Sequence, residues 1–378
     1  MKILFITDLY PLKSGETASP RTLHNFVLEW IKQNHVVDVI KPNFIFNSML
    51  RGKKFYKNGF YEFEGVKILN ANYFSPFLFD IEKKLAGKLD LNKYTLQEYD
   101  LIIAHMPSGI IFANKLFEKY KSIVELPVVC GVHSSDVEVL TNPVYKFYFK
   151  KQLEQAYHNA KKIACRSFVL QKKFTEMFPN LAEKTFVAAS GVKTTVRTKS
   201  SPLTKDTSTV KVLTCANLIK RKNVDKLILS MRGLDGFVLK IAGDGVELGM
   251  LKKLVAQNKL ENRVEFLGKL SQKEVFTQMQ NSHLFVLPSV SETFGMVYLE
   301  AMENGCVTVC TKNDGIDGII IDGENGFLTE PTPEGIKKTL IRIKNFETLD
   351  KIVENSLETI KNYTPEICAD NYLKNCQG

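Results

Sequence analysis

Between Leu287 and Glu300 the chain reads Leu-Pro-Ser-Val-Ser-Glu-Thr-Phe-Gly-Met-Val-Tyr-Leu-Glu, its densest run of side chains able to do chemistry. A strand-like stretch ends at Pro288, a loop carries Ser289, Ser291, Glu292, Thr293 and Gly295, and a helical pattern opens at Met296. Helix N-termini offer unpaired N–H groups and a positive dipole end, which suit a phosphate. Gly295 lets backbone approach a ligand closely. Glu292 lies in the loop and Glu300 about one turn into the helix, so two carboxylates can face one ligand from different heights. The spacing alone says little. With 41 acidic residues among 378, an acidic pair eight apart arises by chance roughly four times in such a chain, and Ser or Thr ahead of a helix is an ordinary cap.

Three other places carry candidate chemistry. Gly243-Asp244-Gly245 follows the predicted strand Phe237 to Ala242 and precedes a predicted helix, Val246 to Asn258. It partly matches a dinucleotide fingerprint, but the next glycine is Gly249 where 248 is required, and a structural turn is an equal reading. His133, in Gly131-Val132-His133-Ser134-Ser135-Asp136, closes the predicted strand Val128 to Val132 at its carboxyl edge. Arg166-Ser167 ends the strand Lys162 to Cys165, where a ligand contact and a structural role are alternative readings.

The elements that must position these groups alternate regularly. Strands at Lys2–Thr7 and Val36–Ile40 flank a 3.6-period stretch, Arg21–Lys32. Leu101–Ala104, a helix from Ile110 to Tyr120 and Val128–Val132 follow. Strand, helix, strand of this kind means a parallel sheet covered by helices. Asn43 to Leu96, rich in Phe, Tyr, Lys and Asn, fits poorly and reads as an insertion. At Thr194–Thr209, Thr, Ser and Lys replace apolar residues, which marks a linker. The alternation then restarts: Val210–Thr214, a helix at 223–231, Phe237–Ala242, Val264–Leu267, a helix at 272–280, Leu284–Leu287 and a helix at 296–304. The chain is therefore expected to be α/β with two doubly wound parallel-sheet domains, residues 1–193 and 210–360, joined by 194–209 and followed by a tail, 361–378, that packs back on the first domain. Open parallel sheets bind ligands beyond the carboxyl ends of their strands, so the expected site is the cleft between the two.

Composition narrows the classes. At 378 residues, 44% hydrophobic and 24% charged, the chain matches a globular protein of two domains. No apolar run approaches the ~20 residues of a membrane span, and Met1–Thr7 runs straight into a strand with no leader-like cleavage site. Seven scattered cysteines form no paired zinc framework and point to a reducing cytoplasm. The net charge of +10 favours anionic partners without choosing among them.

The Leu287–Glu300 stretch closely resembles the retaining glycosyltransferases of the GT-B fold, the large family four. There a Pro-Ser strand end precedes two Glu residues separated by seven positions, with Phe-Gly just after the first. The helix and strand Ala301 to Val309 match, and Asp-Gly-Glu-Asn-Gly-Phe-Leu, Asp322 to Leu328, completes the pattern in the right order. The likeness covers most of the chain and is strongest from Val210 to Leu328. It implies two Rossmann-like domains facing each other, with an acceptor-side first domain and a second that binds a nucleotide sugar.

The resemblance also implies roles. Glu300 would hold ribose hydroxyls, two of which one carboxylate can accept. Glu292 would contact the donor sugar, and the backbone of Phe294, Gly295 and Met296 would meet the diphosphate or sugar. Thr293 and Val297 belong to the same donor-binding run. In Ala216-Asn217-Leu218-Ile219-Lys220-Arg221-Lys222-Asn223, Lys222 matches the lysine that neutralises the diphosphate, while Asn217 stands where the family has arginine. Either Arg221 or Lys220 replaces that charge, or the donor binds more weakly; a solvated basic turn is the plainer reading for Arg221 but not for Lys222. Gly243 would lie beside the nucleotide. Gly15 retains one glycine of a family Gly-Gly pair and Glu16 replaces the other, placing Glu16 on the acceptor side with Asp136 and Arg166. His133 matches a histidine placed beside the sugar, although Ser134 stands where the family has Gly. His133, Glu292 and Lys222 are thus the candidate catalytic residues.

The expected function is transfer of a sugar, UDP-linked in preference to GDP-linked, to a hydroxyl of a glycan or lipid-linked acceptor with retention, in bacterial surface polysaccharide synthesis. A nucleotide-sugar 2-epimerase and a non-catalytic nucleotide-sugar-binding subunit are the rivals. No Asp-x-Asp triplet occurs in a strand-to-loop setting, so neither metal nor cofactor is expected. Met49–Tyr61 and Val144–Lys151 mix aromatic and basic residues, which suits either the inner face of the cytoplasmic membrane or a buried amphipathic helix. No nucleic-acid-binding motif accompanies them, and no nucleic-acid partner is expected.

Overall fold

The structure, a computed structural model, describes residues 1–12, 21–44, 56–73, 98–120, 127–143, 150–193 and 207–377. Strand β1 (Lys2–Thr7) is buried from Ile3 onward, as a parallel strand covered on both faces must be. After it come α1 (Thr22–Lys32), β2 (Val36–Phe44), β3 (Gly59–Phe63), β4 (Val66–Tyr73), β5 (Leu101–His105), α2 (Met106–Tyr120), β6 (Val128–Val132), α3 (Ser134–Thr141), α4 (Lys151–Asn159), β7 (Lys162–Cys165), α5 (Phe168–Met177) and β8 (Thr185–Val187). They build an eight-stranded sheet in the order β3-β4-β2-β1-β5-β6-β7-β8, parallel except for the β3–β4 hairpin.

A second sheet uses β9 (Val210–Cys215), β10 (Phe237–Ala242), β11 (Val264–Gly268), β12 (Leu284–Leu287), β13 (Val307–Thr311) and β14 (Phe327–Thr329), all parallel, in the order β11-β10-β9-β12-β13-β14. Its helices are α6 (Val224–Ser230), α7 (Leu248–Gln257), α8 (Gln272–Gln280), α9 (Met296–Glu303), α10 (Pro333–Lys344) and α11 (Leu349–Lys361), and α12 (Pro365–Gln377) ends the chain. The chain divides into two compact units, Met1–Arg166 with Leu170–Ala189 and Pro365–Gly378, and Ser167–Val169 with Ser190–Thr364. Helix α12 is sewn into the first: the Trp30 indole donates to the Ala369 carbonyl at 3.0 Å, and Tyr372 packs edge-on against Phe26 and Trp30. Lys361 to Thr364 stay in the second unit, and residues 194–206 of the expected linker lie outside the described residues.

Several elements differ from the sequence reading. The stretch read as an insertion, Asn43–Leu96, contains the β3–β4 hairpin, and β4 extends the sheet in parallel with β2. Asn70 and Asn72 hid the strand by interrupting its apolar pattern. Asn70 is buried and satisfied, donating to the Lys57 carbonyl at 3.0 Å and accepting from Asn43. Helix α2 opens at Met106 and not at Ile110. Pro107 suits a first turn, and Gly109 is required because a Cβ there would lie 2.9 Å from the Ile6 carbonyl oxygen. Helix α7 starts at Leu248, after a turn, and not at Val246.

Among the described residues no helix is long and apolar enough to cross a membrane. Of the two aromatic–basic stretches, residues 49–55 and 144–149 lie outside the described residues.

Candidate donor site in the second unit

Strand β9 pairs with β10 on one side and β12 on the other, so the strand order reverses between β9 and β12. Ligands of open α/β sheets bind beyond the carboxyl ends of strands at such a reversal. Two segments emerge there: Ala216–Asn223 after β9, and Pro288–Gly295 after β12.

They are laced together. The 3₁₀ turn Lys220–Lys222 ends at Asn223, whose left-handed backbone (φ +51°) caps α6 and whose side chain donates to the Pro288 carbonyl at 2.9 Å. The Val290 N–H donates to the Arg221 carbonyl at 2.8 Å. Three donors then converge on one oxygen: the Lys222 ammonium, Arg221 Nη1 at 2.8 Å and Ser289 Oγ at 2.6 Å all bind Glu292 Oε1. Lys222 and Glu292 are only 13% and 12% exposed, against 45% for Arg221. Burial pushes the Glu292 carboxyl up, but Lys222, Ser289 and Arg221 outweigh it and hold the group below the usual glutamate range. Glu292 is therefore ionised, in a pocket of cations.

Glu300 has the opposite setting. It lies one turn into α9, is mostly buried, and is pushed above the usual range by burial and by Glu303, with a hydrogen bond from Gln272 working against the shift. Gln272 is the first residue of α8, fixed by the Ser271 capping box, in which the Ser271 hydroxyl accepts from the Glu274 N–H and the Glu274 carboxylate accepts from the Ser271 N–H. Cys215, at the end of β9, feels both Glu300 and Lys222; burial and Glu300 push its thiol to about 11 while Lys222 opposes them. The carboxylate of Glu300 and the ammonium of Lys222 thus flank one strand end.

The rest of the donor-side run is placed as follows. Phe294 is buried, so only its backbone is available to a ligand. Gly295 (φ +94°) is the N-cap of α9, and a Cβ there would strike the Tyr298 ring at 2.5 Å; Tyr298 in turn donates to the Leu287 carbonyl at 2.8 Å. Thr293, Met296 and Val297 are half-buried, and Asn217 is exposed. Gly243 is required by packing, since a Cβ would lie 1.9 Å from the Ala216 carbonyl oxygen, which brings the turn after β10 against the segment after β9.

Two residues of this network have roles that the sequence does not assign. Ser289, which reads as an ordinary cap, is buried and bonded to Glu292. Asp314, in the run Asn313-Asp314-Gly315, is 8% exposed and accepts from the Ser291 N–H at 2.5 Å and the Glu292 N–H at 2.7 Å.

In the first unit Gly15 and Glu16 lie outside the described residues. His133 is 7% exposed and its Nε2 is 2.9 Å from His105 Nδ1; burial, then Arg166, lower it to about 3, so the imidazole is neutral. Asp136 is buried, accepting from the His133 N–H and the Tyr157 hydroxyl, both at 2.9 Å, and burial raises it to about 7. Arg166 is 1% exposed, donates to the Ala188 carbonyl at 2.5 Å, and faces the Phe26 ring at 4.9 Å; burial lowers it to about 10. Among the described residues no three His, Cys, Asp or Glu side chains are grouped to hold a metal ion.

Known proteins share the sequence family and the fold of this chain. Residues 196–359 match the family described as Glycosyl transferases group 1. The chain is 30% identical over 311 residues to the uncharacterized glycosyltransferase MJ1178 of Methanocaldococcus jannaschii, covering 81% of this chain and 83% of that one. In structure it resembles the apo lipopolysaccharide outer core galactosyltransferase WaaB (TM-score 0.72, 20% identity, 99% of each chain) and Anabaena HepE in complex with UDP (TM-score 0.71, 20% identity, 100% of each chain). These likenesses give the fold, the GT-B type with two parallel-sheet α/β domains.

Proposed function

We propose, for a chain that belongs to the group 1 glycosyl transferases and is itself a glycosyltransferase, that it moves a sugar from a UDP-linked donor to a hydroxyl of a glycan or lipid-linked acceptor, with retention, in the synthesis of a bacterial surface polysaccharide. The observation that carries the reading is the convergence of Lys222 and Arg221 on Glu292 at the strand-order reversal. A diphosphate needs cations and a donor sugar needs hydroxyl acceptors, and here both are assembled on one carboxylate. Preference for uridine over guanosine draws on HepE, solved with UDP-glucose, and the acceptor class draws on the lipopolysaccharide role in the name of WaaB.

In this reading Glu300 accepts the two ribose hydroxyls, Glu292 accepts sugar hydroxyls, and the loop N–H groups of Phe294, Gly295 and Met296 meet the diphosphate, with Thr293 and Val297 lining the same run. On binding, the diphosphate draws Lys222 and Arg221 away from Glu292. That frees the carboxylate for the sugar at the moment the cations are needed for the leaving group. Retention follows a front-face route: the bond from the anomeric carbon to the leaving phosphate oxygen breaks, the acceptor oxygen bonds the same face, and the acceptor proton passes to the departing phosphate. Lys222 and the loop amides stabilise the charge that develops. Arg221 supplies the second cation that Asn217 lacks. His133 contributes as a neutral hydrogen-bonding imidazole, and the acceptor side is built over Asp136 and Arg166, which hold the ends of β6 and β7 from within. With cations supplied by side chains, catalysis proceeds without a metal, so activity persists in EDTA. The +10 charge favours peripheral association with an anionic membrane, read by sedimentation with phosphatidylglycerol vesicles.

A thermal-shift series with UDP, GDP and ADP, followed by NMR of the donor with and without acceptor alcohol, tests the reading. Stabilisation by UDP, rising with the logarithm of one plus its concentration over its Kd, is expected. No stabilisation by any nucleotide overturns it, and conversion of the donor to its C2 epimer replaces it with the epimerase.

A further inference from the structure

We infer that Asp314 is a positioning residue for Glu292: from the turn after β13 it clamps the two backbone N–H groups that fix where the Glu292 carboxylate stands. The inference rests on the reading of Glu292 as a donor-site residue given above.

The clamp is bidentate. Asp314 Oδ2 takes the Ser291 N–H at 2.5 Å and Oδ1 takes the Glu292 N–H at 2.7 Å. An ionised carboxylate is an acceptor on both oxygens, so it serves two converging donors where an amide serves one. Both bonds are charge-assisted and the side chain is 8% exposed, so water competes little for them. They act where the backbone most needs support. Ser291 is held at φ +60°, a left-handed conformation that non-glycine residues rarely adopt, directly before Glu292. Gly315 (φ +50°) completes the contact, because a Cβ there would lie 2.9 Å from the Glu292 Cβ and 3.1 Å from the Phe294 carbonyl oxygen. The turn is braced in its own right, with the Asn313 N–H donating to Asp317 at 2.5 Å.

Glu292 is thus held at both ends: its backbone by Asp314, its carboxylate by Lys222, Arg221 and Ser289. Two consequences follow. With Lys222 and Arg221 drawn to the diphosphate, the Asp314 clamp remains and keeps the freed carboxylate on the sugar. And because the N–H groups of Ser291 and Glu292 already meet a carboxylate, the loop presents N–H groups to an anion only from further along.

The test is a double-mutant cycle on the full chain with UDP-glucose as donor: wild type, Asp314→Asn, Glu292→Ala and the double variant. The readouts are turnover, UDP affinity and melting temperature. Asp314→Asn is expected to lower kcat roughly 10- to 100-fold, the loss that misplacing a reacting group by about an ångström produces, while UDP affinity stays within about twofold because Glu300 is untouched. In the Glu292→Ala background the same change is expected to cost no more than about twofold, since there is no carboxylate left to position. Asp314→Glu, which keeps both acceptor oxygens on a longer arm, is expected to lose turnover in the same pattern and serves if the Asp314→Asn variant folds poorly. Equal losses in both backgrounds, or parallel loss of UDP affinity, melting temperature and turnover, make Asp314 merely structural and overturn the inference. An impaired Glu292→Ala beside an unimpaired Asp314→Asn defeats this inference alone, whereas full turnover in Glu292→Ala defeats the reading of the site beneath it.

Discussion

Lys222 and Glu292, 70 residues apart in sequence, are hydrogen-bonded through the ammonium and Oε1, and each side chain is about seven-eighths hidden from water. Removing one member of a pair this dry leaves an uncompensated charge. Glu292→Ala leaves Lys222 and Arg221 as a bare cationic pocket, so UDP binding is expected to hold or tighten while kcat falls. Glu300→Ala is expected to do the reverse, raising the Kd for UDP roughly 10- to 100-fold, the worth of hydrogen bonds to a charged group, with the smaller effect on kcat. Steady-state kinetics with UDP titration by calorimetry read the split, and matched profiles for the two variants would refute the assignment.

The exposed Arg221 bonds the same oxygen as Lys222, although Asn217 holds the position where the resemblance places a cation. Arg221→Ala is expected to weaken UDP binding about 3- to 30-fold, the range of a partly solvated charge-assisted contact. Asn217→Arg introduced into that variant is expected to restore affinity by returning the charge to the end of β9. If the second change does nothing, positions 217 and 221 do not share the diphosphate.

Legibility of this site divides by the kind of group involved. The loop Pro288–Gly295 stood out because apolar strand, polar loop and helix follow each other within fourteen residues, and the parallel sheets were readable from alternating periods. Meeting partners were harder. Nothing near Arg221 announces a contact with Glu292, because only the strand order brings the ends of β9 and β12 side by side. Asp314 was invisible for a different reason: its partners are backbone N–H groups, which every residue has, and Asn-Asp-Gly looks like any turn. Strand β4 was lost because buried Asn70 satisfies itself with side-chain and carbonyl partners that the apolar pattern does not record. Gly243 looked like half of a nucleotide fingerprint, and its demand is steric, set by the Ala216 carbonyl.

Donor binding should depend on pH through Glu300. Burial raises its carboxyl above the usual glutamate range, and the ionised form, an acceptor on both oxygens, holds two ribose hydroxyls more strongly than the protonated one. UDP affinity is therefore expected to fall as pH drops through that raised value, while Glu292, held below the usual range by Lys222, is still ionised. Glu300→Gln, which cannot titrate, is expected to bind more weakly and without this acid-side loss. Calorimetric titration of both proteins as the pH is stepped down from neutral checks it, and identical pH profiles would remove Glu300 from the ribose.

Asp136 makes a stability prediction with its own sign. Burial lifts its carboxyl from 3.8 to about 7, against the hydrogen bonds from the His133 N–H and Tyr157 hydroxyl, with Asp8 adding to the rise. Between those two values the folded state keeps a proton that the unfolded chain has released, so the stability from this group is full below pH 3.8 and is lost as pH climbs to about 7. The slope is at most roughly 1.4 kcal/mol per pH unit. Asp136→Asn keeps an oxygen that can accept one of the two bonds and has nothing to titrate. The variant is therefore expected to be less stable than wild type at the acid end, and the gap is expected to narrow with rising pH and level off above about 7. Urea unfolding of the pair at stepped pH measures the gap directly, and a gap that stays constant across the window would mean that Asp136 is ionised in the folded protein throughout.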